Sequence, residues 1–537
     1  MSEPAEPVKI ALCDIAKLVQ ENRGLTFKQS LAAIQDAAAP EPPVGTDIEL
    51  FLCDRRPKVQ LPGADRLVSD FAKDLAVYLR DKDIFTRNNE VVTIRMDNGI
   101  EIITADSFRT MIEKHIICYA VRGKDEIQIN VTMGQDAARA VLASVQFKEG
   151  LRTLRAVYAA RLPIIRPDGQ IELLPVGYDD TSNILTRDCV AYPETMDIEE
   201  AKKIIDDLLA EFCFADAGRS KAVAIAATVG LFAQYLMQKG SLRPVFILLA
   251  NAEGAGKTLL VCVCIMPVLG SMPAGSRPEE EAEMQKVLLT AIREGRQVVF
   301  LDNIRGRLAS ASLEGFTSAS SWTGRLLGLN QSFKGDNLAT VFITGNGLTV
   351  TPDMRRRTLF VELHLEMERA EDRVFKRRMD QAFLMNKRPE ILGALWSMVQ
   401  NWDKLGRPGP SRSHSAFPEW AQIVGGIVEA AGYDCAFQTA EIEAAGDVDG
   451  QDMRALVQAM GEDLLSERSF SQLVDLAVER GLFEQFVDGE GLNQKTRTAF
   501  SRMLVRYDKR LFGTGQLLRF RVEGKGRARK FKVERIK

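Results

Sequence analysis

The chain has 537 residues, 46% of them hydrophobic and 27% charged, with a formal net charge of −3. That length exceeds what one core supports and predicts three or four units at about 100 to 200 residues each, while the composition excludes a wholly disordered chain. The near-neutral total hides a segregation: Lys495 to Lys537 holds 15 Lys or Arg against three acids, a balance of +12 that leaves −15 elsewhere. A basic tail on an acidic body predicts a polyanionic partner.

The eight cysteines are scattered, with only Cys262 and Cys264 close together, and the histidines are His115, His364 and His414 alone. That inventory argues against a His/Cys metal centre and for reduced thiols. The opening MSEPAEPVKIALCD carries acids where an export signal carries positive charge, so a cytoplasmic protein is expected. The apolar run Ala222 to Met237 includes Thr228 and Gln234 and falls short of the roughly 20 residues a membrane span needs. It predicts a buried helix.

In chain order, residues 1–45 are Pro- and Ala-rich around one helix (Phe27 to Ala37) and read as a mobile arm. From 46 to 185 a helical pattern, RLVSDFAKDLAVYLRD, mixes with the β-like runs EVVTIRM, EIITA and DEIQINVTM, which predicts an α/β or α+β domain. Residues 186–410 begin with the helix DIEEAKKIIDDLLAEF, for which Asp197 is a good N-cap. The run Val245 to Ala250 (VFILLA) is then a strand of the kind buried in a parallel sheet, followed by the loop NAEGAGKT and a helix expected to end at Pro267. Two further buried strands, QVVFL and ATVFIT, are expected to end at Asp302-Asn303 and Gly345-Asn346. Between them WTGRLLGLNQSFKGD reads as a β-hairpin turning near Asn330, and DMRRR leads into another strand. The helices RPEILGALWSMVQNW and FPEWAQIVGGIVEAAG are separated by the Pro- and Gly-rich loop GRPGPSRSHS, a candidate boundary at 410/411. Residues 411–537 end in helices near Asp452–Leu465, Phe470–Arg480 and Gln494–Arg510, then two alternating strands. Leu518, Phe520, Val522, Phe531 and Val533 take one face, and Arg519, Arg521, Lys530 and Lys532 the other. Helices followed by a basic hairpin predict a winged helix-turn-helix.

Strand, Gly-containing loop and helix form the context of a phosphate cradle, in which backbone N–H groups and the helix N-terminus supply partial positive charge and a Lys reaches the terminal phosphates. Asn251, Glu253, Gly254, Ala255, Gly256, Lys257, Thr258 and Leu259 are expected to line an ATP, with the Thr258 hydroxyl and Asp302 on Mg²⁺. The opening position of the usual G-x-x-x-x-G-K-[ST] pattern is Asn251, a departure eased by the tolerance of Asn for the left-handed region. Asn303 follows Asp302 and cannot accept a proton from water; Glu281 or Glu283 in PEEEAEM could, although an acidic helix start is also just a favourable end for the dipole. Asn346 could hold the γ-phosphate or the lytic water. One of Arg355, Arg356 and Arg357 could act as an arginine finger.

This order of motifs, GAGKT after VFILLA, then FLDN, FITGN and DMRRR, resembles an AAA+ P-loop ATPase core. With the WTGRLLG hairpin before TGN, it is similar to the helicase-type replication proteins of phages, plasmids and mobile elements, related to superfamily 3 and MCM-like helicases. The likeness runs over Asp197 to Trp402. It implies a homo-hexameric ring that hydrolyses ATP between subunits and moves single-stranded DNA. Lys257 and Thr258 would be the Walker A pair, Asp302 with Asn303 Walker B, Asn346 sensor 1, and Arg356 or Arg357 the finger. The hairpin would face DNA with Lys334 and Arg325. In the winged helix, Lys495, Arg497, Arg502, Arg506, Lys525, Arg527, Arg529 and Lys530 would grip duplex DNA. Primase chemistry is not expected, because Asp70 and Asp74 at i,i+4 read as a wet helix face, so a separate primase or initiator is a possible partner. An ATP-switched origin-binding initiator or loader, and a regulatory protein with weak hydrolysis, stay open as alternatives.

Overall fold

A computed structural model describes residues 56–535 apart from 64–65, 123–126, 217, 326–331, 366–377, 439–447, 463–466, 484–485, 487–493, 509–510, 513–517 and 525–528. The expected arm at 1–45, the hairpin turn near Asn330 and the connection holding Lys525 and Arg527 lie outside them. Among the described residues no helix is long and apolar enough to cross a membrane.

Contacts divide the chain into two units. The first takes residues up to Val91 and Ile102–Arg152. Its helix Val68–Leu79 turns Phe71, Ala72, Leu75, Ala76 and Leu79 inward, the spacing of one helical face. A second helix, Ala105–Glu113, starts at a Thr104–Ser107 capping box and buries Phe108 and Ile112 in the same core. Strand Lys58–Gln60 runs parallel to Ile117–Arg122, which pairs antiparallel with Ile127–Asn130.

The second unit takes Val92–Glu101 and everything from Thr153. Ala156, Tyr158, Leu162 and Ile184, which precede the expected boundary at 185, pack in the core of the central sheet. Helix α1 (Ile198–Leu209) is capped by Asp197, whose Oδ1 accepts the Glu199 N–H at 2.9 Å. The apolar run forms α2 (Arg219–Phe232), buried nearly all round. There follow β1 (Val245–Ala250), α3 (Lys257–Leu269), α4 (Glu281–Glu294), β2 (Val298–Leu308), α5 (Ala311–Thr317), β3 (Ser321–Arg325), β4 (Ser332–Asp336), β5 (Thr340–Val350), α6 (Pro352–Arg355), β6 (Thr358–Leu363) and α7 (Gln381–Lys404).

The central sheet is parallel in the order β2-β5-β1-β6. Alternation explains its unbroken apolar runs: Phe246, Leu248 and Phe342 face the core shared with α1, α2, α3 and α7, while Val245, Ile247 and Ile343 face the core under α4 and α5. Both faces are covered, as parallel sheets require. Each fully buried large apolar side chain contributes about 1.5–3 kcal/mol.

Pro267 does not end α3. It lies in the last turn, and the helix stops at Gly270, whose φ of 79° is the left-handed cap that glycine adopts most easily. The Arg388 guanidinium from α7 donates to the carbonyls of Pro267 (2.9 Å) and Val268 (3.3 Å), capping orphan acceptors at that end. Strands β2 and β5 continue past Asp302-Asn303 and Gly345-Asn346, where they were expected to end, through a register shift between Leu301 and Ile304.

The loop before residue 411 is no packing boundary either. Phe417, Trp420, Val424 and Ile427, in the continuous helical stretch Pro418–Ala430 and just before it, join the core of Phe246, and the Trp420 ring lies 5.9 Å from that of Phe246. Gly230 in α2 makes room for it: a Cβ there would meet Trp420 at 2.8 Å. The last segment holds α8 (Val448–Glu462), β7 (Arg468–Ser469), α9 (Phe470–Glu479), α10 (Gln494–Arg506), β8 (Leu511–Phe512), β9 (Leu518–Glu523) and β10 (Lys530–Arg535), with an antiparallel sheet β7-β10-β9-β8. Phe520 and Phe531 are buried, and Leu518, Val522 and Val533 pack beside them, the face that the alternation predicts.

Candidate functional site

The loop after β1 emerges at the C-terminal edge of the parallel sheet. Gly254 (φ 77°) and Gly256 (φ 93°) hold left-handed conformations that turn the chain into α3, whose first residue is Lys257. Asn251 is not among the positive-φ residues, so the left-handed role expected of it is corrected. It ties the loop sideways instead: its Nδ2 donates to Leu365 O at 2.9 Å and its Oδ1 accepts the Leu365 N–H at 2.8 Å, beyond the end of β6. A glycine could make neither bond.

Four expected residues come together. Lys257 Nζ donates to Asn346 Oδ1 at 2.6 Å, and the Thr258 hydroxyl donates to Asp302 Oδ1 at 3.2 Å. Burial pushes the Lys257 ammonium below its ordinary pKa against the opposing pull of Glu253 and Asp302. Thr344, missed in the sequence, donates to Asp302 and accepts the Asn303 N–H at 2.9 Å, fixing both residues from β5. The signal for it was one hydroxyl at the end of the apolar run ATVFIT. Asp302 N–H also donates to Ser276 O at 3.0 Å.

Asn303 has φ 54° at the register shift, a conformation Asn accepts more readily than Glu. Arg305, also missed, reaches Glu253 of the loop at 3.1 Å. Ala255 is buried, and Leu259 packs against the core. Phe212 would touch a Cβ on Gly256 at 3.6 Å, so an aromatic ring lies beside the loop. Glu281 is engaged away from the loop. It accepts the Ser312 N–H at 2.7 Å at the start of α5, and although burial raises its pKa, bonds from Ser312 and Ser310 hold it below the usual value. Glu283 accepts the Glu279 N–H at 3.4 Å.

Such an edge can take a phosphate on the α3 N-terminus and Lys257, and a hard cation on Thr258 and Asp302, two oxygens already side by side. Arg356 and Arg357 lie elsewhere. Both pair with Asp353, whose pKa they depress, and Arg357 O accepts the Val245 N–H at 2.8 Å. They therefore stand at the start of β1, a strand length of about 20 Å from the loop. The Arg356 side chain is 72% exposed.

Among the expected nucleic-acid contacts, Lys334 is exposed opposite Thr323 in the β3–β4 hairpin, and Arg325 pairs by its backbone with Ser332. In α10, Arg502 is exposed and Arg497 lies 5.4 Å over the Phe470 ring, while Lys495 and Arg506 occupy the same helix. Arg529 donates to Ser501 at 2.8 Å and Lys530 pairs with Glu467 at 2.6 Å, so part of the basic face is satisfied internally. The side chains of Arg325, Lys495 and Arg506, like Lys525 and Arg527 entirely, lie outside the described residues.

No family model matches the chain, and no curated protein does. Solved structures match at low similarity. The C-terminal region of NrS-1, in its apo A form, is 11% identical at a TM-score of 0.36, over 74% of this chain and 79% of that one. The SCCmec type IV Cch active helicase is 10% identical at a TM-score of 0.30, over 81% of each chain. A JCV helicase with a bound small molecule is 14% identical at 0.20, over 44% of this chain and 66% of that one. At these scores the likenesses carry no argument about the chemistry of this chain.

Proposed function

We propose that the chain is an ATP-dependent motor of the helicase or translocase type that acts on single-stranded DNA in the replication of a mobile element. The observation that supports it most is the pairing of Lys257 with Asn346 and of Thr258 with Asp302 at one edge of a parallel sheet. In this reading ATP lies on the loop from Asn251 to Leu259, with Lys257 on its terminal phosphates. Mg²⁺ is held by Thr258 and Asp302 and neutralises charge on the phosphates when bound. Asn346 then orients the γ-phosphate or the attacking water, and Asn303 is a bulge residue.

Arg356, exposed and a strand length from its own loop, acts on the site of a neighbouring copy, which makes a ring of identical subunits, a hexamer, the working assembly. Arg357, shielded and braced by Asp353, positions that segment. Lys334 and Arg325 on the hairpin meet the single strand. The C-terminal helices and hairpin form a winged helix, with Lys495, Arg497, Arg502, Arg506, Lys525, Arg527, Arg529 and Lys530 as its duplex contacts. The first unit is a collar or DNA-binding module.

A second reading, ATP as an assembly switch with slow turnover, is favoured by one observation: Asn303 stands where a base would, and Glu281 is occupied by α5. Steady-state ATP hydrolysis with and without single-stranded DNA, in the wild type and Lys257→Ala, separates the two. Turnover that DNA stimulates and the substitution removes supports the motor. ATP binding without turnover in the wild type supports the switch.

A further inference from the structure

At the opposite edge of the sheet, where β1 begins, two arginines meet two tyrosines. The Tyr158 and Tyr235 hydroxyls are 3.0 Å apart and their rings stand edge to face at 5.6 Å. The Arg155 guanidinium lies 4.8 Å over the Tyr235 ring. Arg243, two residues before β1, donates to Asn337 O at 3.3 Å. The Nε of each arginine is buried with no acceptor among the described residues.

Burial pushes the Arg243 guanidinium below its ordinary pKa, and Arg155 adds to the push; among the described residues the groups that oppose it are the two tyrosines. Tyr158 cannot serve as the counter-anion, since burial holds its pKa well above the ordinary value. Three acids toward this end of the sheet are engaged: Asp336 pairs with Lys239 at 2.9 Å, Glu419 accepts from the Gln238 N–H at 2.8 Å and from Ser241, and Asp353 pairs with Arg356 and Arg357. A desolvated cation without an anion is costly, and a bound anion removes that cost. A small, mostly apolar pocket opens beside Arg243, with Ser241, Thr317 and Asn337 as its other polar residues; Arg155 does not line it.

We propose that Arg155 and Arg243 form a phosphate-binding site, filled by a backbone phosphate of single-stranded nucleic acid. Arginine suits this chemistry because its planar donor fork matches phosphate oxygens. The strand is favoured over a small phosphate by position: Asn337 links β4 to β5, so the site sits at the root of the hairpin that carries exposed Lys334. Only the identity of the occupant rests on the motor reading; the buried, unaccepted Nε atoms of Arg155 and Arg243 stand without it.

The test uses the full chain and a fluorescently labelled single-stranded oligonucleotide, read by anisotropy, in the wild type, Arg243→Gln, Arg155→Gln and Arg243→Lys. Binding of a fluorescent ATP analogue checks the fold of each variant. The expected result is a loss of about tenfold in oligonucleotide affinity for either Gln variant with analogue binding unchanged, and a salt slope reduced by about 1. In a second arm, inorganic phosphate is added to the wild type and the melting temperature followed. Stabilisation by phosphate that Arg243→Gln removes, with oligonucleotide affinity unchanged, keeps the site and assigns it a small phosphate. Unchanged oligonucleotide affinity together with no phosphate stabilisation of the wild type overturns the proposal. Failure of the motor reading would show separately, as absent DNA-stimulated hydrolysis in the wild type.

Discussion

The two edges of the β2-β5-β1-β6 sheet treat positive charge in opposite ways. At the C-terminal edge Lys257 rests on Asn346 and Thr258 on Asp302, so the polar groups satisfy one another. At the N-terminal edge Arg155 lies over the Tyr235 ring and Arg243 donates to Asn337 O, and each has a buried Nε that nothing described accepts. A self-satisfied site must give up its own contacts to take a ligand, which discounts affinity and favours exchange. A site of uncompensated cations has already met its desolvation cost, which favours retention. In the proposed motor, the first would suit the fuel site and the second would add grip on the strand.

The largest expected effect comes from Arg356, which stands at the start of β1 beside Arg357 but is proposed to serve the site of a neighbouring copy. If Arg356 completes a neighbouring site, Arg356→Ala lowers ATP turnover by about 10³- to 10⁵-fold, and addition of the inactive protein poisons wild-type turnover more than dilution predicts. Poisoning absent from a mixed-subunit titration would return Arg356 to a surface ion pair with Asp353. Lys257→Ala comes next, with a fall in kcat of about 10²- to 10³-fold and oligonucleotide binding at the far edge retained. Anisotropy that falls along with turnover would show that the edges are not separable.

Lys334→Ala is the third. Basal hydrolysis should persist while DNA stimulation drops by about tenfold, the effect of one charged contact; stimulation equal to wild type in a coupled ATPase assay would remove the hairpin from the DNA path. The smallest effect belongs to Asn303. Since its backbone is left-handed, Asn303→Gly should change stability by less than about 1 kcal/mol in urea denaturation and keep turnover, whereas Asn303→Val should lose stability. Lost turnover in the glycine variant would assign chemistry to the carboxamide.

The sheet was legible where both faces of a strand are buried. VFILLA spans β1 residue for residue, because no polar position interrupts it, and Asp197 marked the start of α1 through the chemistry of its own cap. The face of β9 and β10 followed from strict alternation. The continuation of β2 past Asp302 did not follow, since DNIRGR has turn composition and the bulge at Asn303 is held by Thr344 across the sheet. The loop before residue 411 misled for a related reason: Pro and Gly report local chain geometry, whereas the packing of Trp420 against Phe246 is set by a distant strand. Asn251 stood out as a departure, but its partner Leu365 is far along the chain. Sequence proximity likewise gave no hint that Arg155 and Arg243 share one pair of tyrosines.

Helix α3 is gripped at both ends. Its first residues hold Asn346 and Asp302, and its last carbonyls are clasped by Arg388, whose third bond at 2.7 Å runs to Ala159 O. Thirteen residues of helix make a strut about 20 Å long. Apolar packing along its whole buried length leaves it little room to bend. In the proposed motor, a displacement of Lys257 would be passed to α7 and to the segment at Ala159 as a push or pull along one axis, and the stiffness of that strut, more than the strength of any single bond, would set how much of it reaches them.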